Sequence, residues 1–177
     1  MTPTGEFSHK VTVEPWPEEG VIVELTATAA EREALRARFD LVDLTSLSAS
    51  VGIEKKTLEL VLAGTIEATV AQTCVVTLKP VASALEVPFE RRYRRRETHE
   101  KMLASGEVPD PDDEIDIDLL EDSEIDIGEA VAEELYLALD PYPRASDADR
   151  ALQEMTTKTG VALDEATPNP FEKLRRH

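Results

Sequence analysis

Arg91, Arg92, Tyr93, Arg94, Arg95 and Arg96 place five guanidinium groups within six positions. Guanidinium forks hold phosphate oxygens in pairs, and a tyrosine ring can stack on a base, so these six residues form the candidate RNA contact. The same row could instead be a charged sheet edge that blocks strand addition. The opposite chemistry follows at once. From Met102 to Pro143 there is no Lys or Arg, while Asp and Glu number 15 in 42 residues. Among them Asp110, Asp112, Asp113, Glu114, Asp116, Asp118, Glu133, Glu134 and Asp140, with Pro141, make up the candidate surface for a basic protein partner. Three readings of the acidic block 107–124 stand side by side. It could be a solvated loop, because such a composition buries too little apolar area to offset the entropy of ordering. It could fold back on the arginines as an internal mimic of RNA, or meet a basic partner; screening over about 8 Å limits either to short range. Asp112, Glu114, Asp116 and Asp118 alternate as calcium ligands do, but the mid-loop glycine and flanking helices of a calcium hand are absent from the pattern.

Other reactive side chains are sparse. His9 lies near one terminus, His99 in charged sequence, and His177 at the last position, so none is placed to serve as the base of a nucleophilic triad. Cys74 follows an apolar run and reads as a small buried hydrophobe. A single cysteine excludes an internal disulfide and a zinc site made of several thiolates. The seven glycines are scattered singly, so no phosphate-cradling loop is written here. The expectation is a protein without enzymatic activity, cofactor or metal.

The chain that must position these groups has 177 residues, 41% hydrophobic and 32% charged, with 19 basic and 37 acidic side chains and a net charge of -18. Binding of the whole chain to bare nucleic acid is disfavoured, since phosphate is captured by exchanging counterions for Lys and Arg. Outside the acidic tract the charges nearly balance, with 22 acids against 19 bases. Neither a leader nor a membrane-spanning run is visible, which gives a cytoplasmic expectation without membrane contact. Residues 1–145 are expected to form one α+β domain carrying an acidic loop at 100–124, and residues 146–177 a flexible or partly helical tail. The oligomeric state is left open.

Alternation predicts a short edge strand over 7–13 and a better strand at 21–25. Thr28 and Glu31 form a capping box ahead of a helix over 29–39, with Ala30, Ala34, Leu35, Arg38 and Phe39 on one stripe. A strand over 44–53 turns at Lys55 and Lys56. Another, from Leu58 through Val70, keeps its parity across Gly64, as for a long strand bent at a glycine or bulge, and carries a β signal on to Leu78. Val81 to Phe89 should pair antiparallel with it and continue through the arginines, placing Arg92, Arg94 and Arg96 on one face and Arg91, Tyr93 and Arg95 on the other, half of them in solvent. Asp126 and Glu129 open a second helix over 127–139, with Ile127, Val131, Leu135, Ala138 and Leu139 as its stripe. Trp16, between two prolines, reads as a plug on the core, and residues 147–155 as a short helix. The expected class is α+β: an antiparallel sheet, open or closed towards a barrel, with two main helices.

Three segments, QTCVVTLKPV at 72–81, EIDIGEAVAEELYLALDP at 124–141 and PNPF at 168–171, together with the acidic linker between the first two, resemble the YceD family of large ribosomal RNA subunit accumulation proteins over residues 5–174. The resemblance implies a non-catalytic cytoplasmic factor needed for normal large-subunit (23S) ribosomal RNA levels and ribosome assembly, encoded in many bacteria beside a small basic ribosomal protein. It points to binding of a basic ribosomal protein or an assembly factor, with direct binding of ribosomal RNA by the arginine cluster as the alternative. Many relatives carry a second cysteine three residues after the first, and further His or Cys ligands after the second segment. Thr77 stands at the former place and residues 142–176 hold neither, so a metal is not implied for this chain.

Overall fold

The computed structural model describes residues 6–17, 19–106 and 117–159. The apolar alternation becomes three long strands: β3 (Asp43–Lys56), β4 (Glu59–Thr73) and β5 (Pro80–Arg95). With β2 (Val21–Thr26) and β6 (Ile117–Leu120) they form a sheet ordered β2-β3-β4-β5-β6. Every pairing is antiparallel except β5 with β6, which is parallel from Arg92 opposite Ile117 to Arg95 opposite Leu120. β2 and β6 are free edges, so the sheet is open and does not close into a barrel. A second, two-stranded sheet joins β1 (Lys10–Thr12) to β7 (Glu124–Asp126), bringing the N-terminal segment beside residues more than a hundred positions away.

Period two sorts the core. Leu47, Ala49, Val51 and Ile53 of β3, Leu60, Leu62, Ile66, Ala68 and Val70 of β4, and Phe89 and Tyr93 of β5 are buried together. Each Leu or Ile there contributes about 2 kcal/mol relative to leaving it in water. Two helices cover that face. In α1 (Ala29–Arg38) the capping box forms as expected: Glu31 N donates to Thr28 Oγ1 at 3.3 Å and Thr28 N to Glu31 Oε2 at 2.7 Å. Leu35 and Phe39 go inward, whereas Ala30 and Arg38 of the expected stripe stay at the rim. In α3 (Ile127–Ala138), Ile127, Val131 and Leu135 are fully buried and the helix lies on β4 and β5.

Several boundaries differ from expectation. Lys55 and Lys56 are the last rungs of β3, and the turn is Thr57–Leu58, with Thr57 at φ 43°. The register passes through Gly64 unbroken, while the irregularity falls between Leu44 and Ser46. Gly64 is needed for another reason: a Cβ there would lie 2.2 Å from the Ser50 carbonyl oxygen of the neighbouring strand. β4 ends at Thr73 rather than running to Leu78, because the chain turns around Cys74. Two elements, α2 (Arg96–Ser105) and β6, lie within or beside charged sequence whose composition predicts a linker, and α4 (Ala148–Thr159) follows α3. Among the described residues no helix is long and apolar enough to cross a membrane.

Candidate functional site

The arginine row is the final third of β5 and the first residue of α2, and each guanidinium meets a carboxylate of this chain. Arg91 reaches Glu133 at 2.6 Å, Asp118 at 3.3 Å and Glu134 at 3.6 Å, gathering α3 and β6 onto β5. Burial works against its charge, yet the bond to Glu133 and the surrounding carboxylates hold its pKa above the usual value. Arg92 pairs with Glu90 at 2.9 Å. Arg94 pairs with Glu59, directly opposite on β4, Arg95 with Glu14, and Arg96 with Glu121. Arg95 also lies over the Trp16 ring, 5.1 Å from its centroid, so Trp16 packs on the core with a cation as its lid.

Half of this row was expected in solvent. The strand instead stops at Arg95, and each of its faces has a buried residue at this end, Tyr93 on one and Arg94 on the other. Arg94 is 6% exposed and Tyr93 9%. The Tyr93 ring faces the core, where burial, reinforced by Asp118, Glu133 and Glu134 and opposed by Arg91, pushes its hydroxyl up to about 12. A base could stack on that ring only by opening the core. Arg95 and Arg96 are the members left substantially exposed, with 41% and 48% of their side chains in solvent.

Of the acidic candidates, Asp110, Asp112, Asp113, Glu114 and Asp116 lie outside the described residues. Asp118 is in β6, and Glu133 and Glu134 are in α3; all three turn to Arg91. Asp118 and Glu121 are thus members of the acidic block that fold back on the arginines. Asp140 and Pro141 lie elsewhere, just past the end of α3, both exposed. There Gln72 Nε2 donates to the Asp140 carbonyl oxygen at 2.9 Å and Tyr142 N donates to Asp140 Oδ1 at 2.9 Å. The structure therefore divides the candidates into a cluster of three carboxylates sharing Arg91 and an open acidic corner at Asp140.

That corner also holds apolar residues outside the candidate set. Phe39, Leu41, Val75, Tyr136, Leu137 and Leu139 line an open groove of about 470 Å³ together with Asp40, Asp140, Pro141 and Pro143. A second lobe of about 370 Å³ shares Phe39, Tyr136 and Leu137 and is bounded by Arg38, Arg91 and Glu133. Tyr136 and Leu137 are apolar residues out of phase with the buried stripe of α3, a signal already present in the sequence. One wall of the groove is set by Cys74. Its sulfur accepts amide N–H bonds from Val76 (3.4 Å), Thr77 (3.3 Å) and Ala145 (3.3 Å), and Val75 N donates to the Pro143 carbonyl at 2.9 Å. Burial raises the thiol pKa, but these donors and the Thr77 side chain outweigh it and bring it down to about 6. Among the described residues no group of three or more His, Cys, Asp or Glu is arranged to hold a metal ion.

Compared with known families, residues 62–176 match the model described as large ribosomal RNA subunit accumulation protein YceD. No curated protein and no solved structure matches. The matched span takes in β5 with its arginines, the acidic block, α3 and one side of the groove at its end, but not Phe39, Asp40 and Leu41 on the other.

Proposed function

The chain belongs to the YceD family of large ribosomal RNA subunit accumulation proteins, and from that premise we propose that it supports accumulation of that RNA by holding a basic ribosomal protein or assembly factor, acting as a non-enzymatic adaptor. One observation carries the reading: all five guanidinium groups of the arginine row are paired with carboxylates of the same chain. The chain's concentrated positive charge is thus spent within the fold. With 37 acids and 19 bases, pairing every base still leaves 18 negative charges without a counterpart. Such a field repels phosphate backbones and steers a Lys- and Arg-rich protein into encounter.

The test is a pair of titrations with the full chain, one against the basic proteins extracted from purified large subunits and one against fragments of large-subunit ribosomal RNA. Salt is varied from about 50 to about 500 mM, a range over which the screening length falls to a few ångströms. The adaptor reading expects binding of proteins that weakens at least tenfold across this range, and RNA binding near background at physiological salt. Tight RNA binding lost in an Arg95→Ser, Arg96→Ser variant would overturn it in favour of the RNA contact.

A further inference from the structure

We infer that the groove at the C-terminal end of α3 docks a positively charged partner segment that inserts a leucine or aromatic side chain. The groove has an apolar floor and ridge. Leu137 is 76% exposed and Tyr136 56%, although both sit in a helix whose opposite side is packed into the core. Folded chains seldom leave neighbouring large apolar side chains in water unless something covers them. The ridge is fixed, because the Tyr136 ring leans on Phe39 with centroids 5.2 Å apart at an interplanar angle of 40°. The far wall is fixed too, by the Gln72 bond to Asp140 and the Val75 bond to Pro143. A groove held this way has little ordering left to do when a ligand arrives.

The charge of the rim selects the occupant. Among the described residues the larger lobe is lined by two exposed carboxylates, Asp40 and Asp140, and by no basic residue; Arg36, behind it on the Leu41 carbonyl, is held by Glu33. The smaller lobe touches two arginines, but both are already engaged. Arg38 forks onto Glu129 at 2.6 and 2.9 Å, and Arg91 is on Glu133. What faces an incoming ligand is therefore apolar surface edged with negative charge. A second copy of this chain, itself carrying -18, would pay long-range repulsion to sit there, and phosphate would be turned away by the two aspartates. A segment with Lys or Arg beside one bulky apolar anchor satisfies both features. This inference rests on the adaptor reading for the source of the segment, since ribosomal proteins have that composition, but its geometry stands apart from it.

The probes are labelled synthetic peptides in three short pools. The first carries one Leu or Phe between Lys and Arg, the second replaces the bases by Glu, and the third replaces the anchor by Ser. Fluorescence anisotropy with the full chain should show binding of the first pool and at least about tenfold weaker binding of the others. Leu137→Ser should weaken the first pool about tenfold, as should Asp40→Asn with Asp140→Asn, while Ile22→Ser on the edge strand β2, 73% exposed, should leave it unchanged. All three variants change exposed side chains, and unaltered circular dichroism confirms their folding. Failure of the wild-type chain to bind the first pool, equal binding of all pools, or indifference to Leu137→Ser overturns the docking site. So does self-association that Leu137→Ser abolishes, or displacement of the peptide by RNA. If the chain captures large-subunit proteins undisturbed by Leu137→Ser, the groove fails while the adaptor reading stands. If peptides bind in the groove but no ribosomal protein is captured, the adaptor reading fails alone.

Discussion

Arg94 meets Glu59 through Nη2, while its Nε and Nη1 are buried and, among the described residues, have no hydrogen-bond partner. A guanidinium in this position is a structural ion, and its worth depends on whether one half of the pair is removed or both. Removing one partner strands the other as a charge that has lost its water, which costs about 3 kcal/mol; replacing both by apolar chains of similar volume is close to neutral. Glu59→Gln should therefore lower the urea midpoint markedly and the double variant Glu59→Leu, Arg94→Met should not, whereas a surface salt bridge would give small losses in both. Sequence alternation had already put Tyr93 in phase with Phe89 and the rest of the inward face of β5, so its burial was legible; the density of arginine around it drew the reading towards a ligand. The burial of Cys74 is legible in the sequence, but not the three amides that converge on its sulfur, since that convergence needs Ala145, 71 positions away. Those amides make a testable pH effect. The thiol titrates at about 6 in the folded chain against 9.0 for the ordinary group. Between these values the unfolded chain binds more protons, so stability should rise with pH across this window and be lost as pH falls through about 6. Cys74→Ala should flatten that dependence, as read by urea unfolding at a series of pH values, and a wild-type midpoint constant from pH 6 to 9 would contradict the assignment.

At the level of elements, the two helices with capping signals were readable because a side chain can satisfy an amide only from fixed positions. The second start formed with a variation. Asp126 accepts the Glu129 amide at 3.1 Å, the His9 amide at 2.8 Å and the Ser8 hydroxyl at 2.5 Å, and although burial opposes its charge these donors hold its carboxyl below the usual range. Glu129 does not complete the box, because its carboxylate is committed to Arg38. The start of α3 is thus also the anchor of the N-terminal segment, and Gly128 shows how closely the two meet: a Cβ there would lie 2.5 Å from the Phe7 carbonyl oxygen and 2.8 Å from His9 N. Gly128→Ala should destabilise the chain by about 2 kcal/mol through overpacking and raise hydrogen exchange first at Val11 and Ile125, the paired residues at the centre of the small sheet. Uniform loss of protection would place the strain elsewhere. α2 and β6 went unread for the same reason as each other. Charge dominates their sequence, and the apolar residues that seat them, such as Ile117 and Leu120, are too few to set a period against the acids around them.

Across the whole molecule two electrostatic effects oppose one another, and their response to salt separates them. The ion pairs on the arginine row favour the folded state, while the surplus of 18 negative charges repels itself more strongly in the compact state than in the extended chain. Screening weakens both, but not equally. Arg91, Arg92 and Arg94 keep no more than 30% of their side chains in solvent, and pairs at short range and partial burial are screened much less than charges spread over a surface. Raising salt from about 10 to about 150 mM, which shortens the screening length from about 30 to about 8 Å, should therefore raise the thermal midpoint of the isolated chain. The same change should loosen its hold on a basic partner, because attraction between two extended surface fields is of the kind that salt removes. Stability and binding are expected to move in opposite directions with one variable. A thermal midpoint that falls with salt would mean that the ion pairs outweigh the self-repulsion, leaving too weak an outward field to recruit a partner by charge.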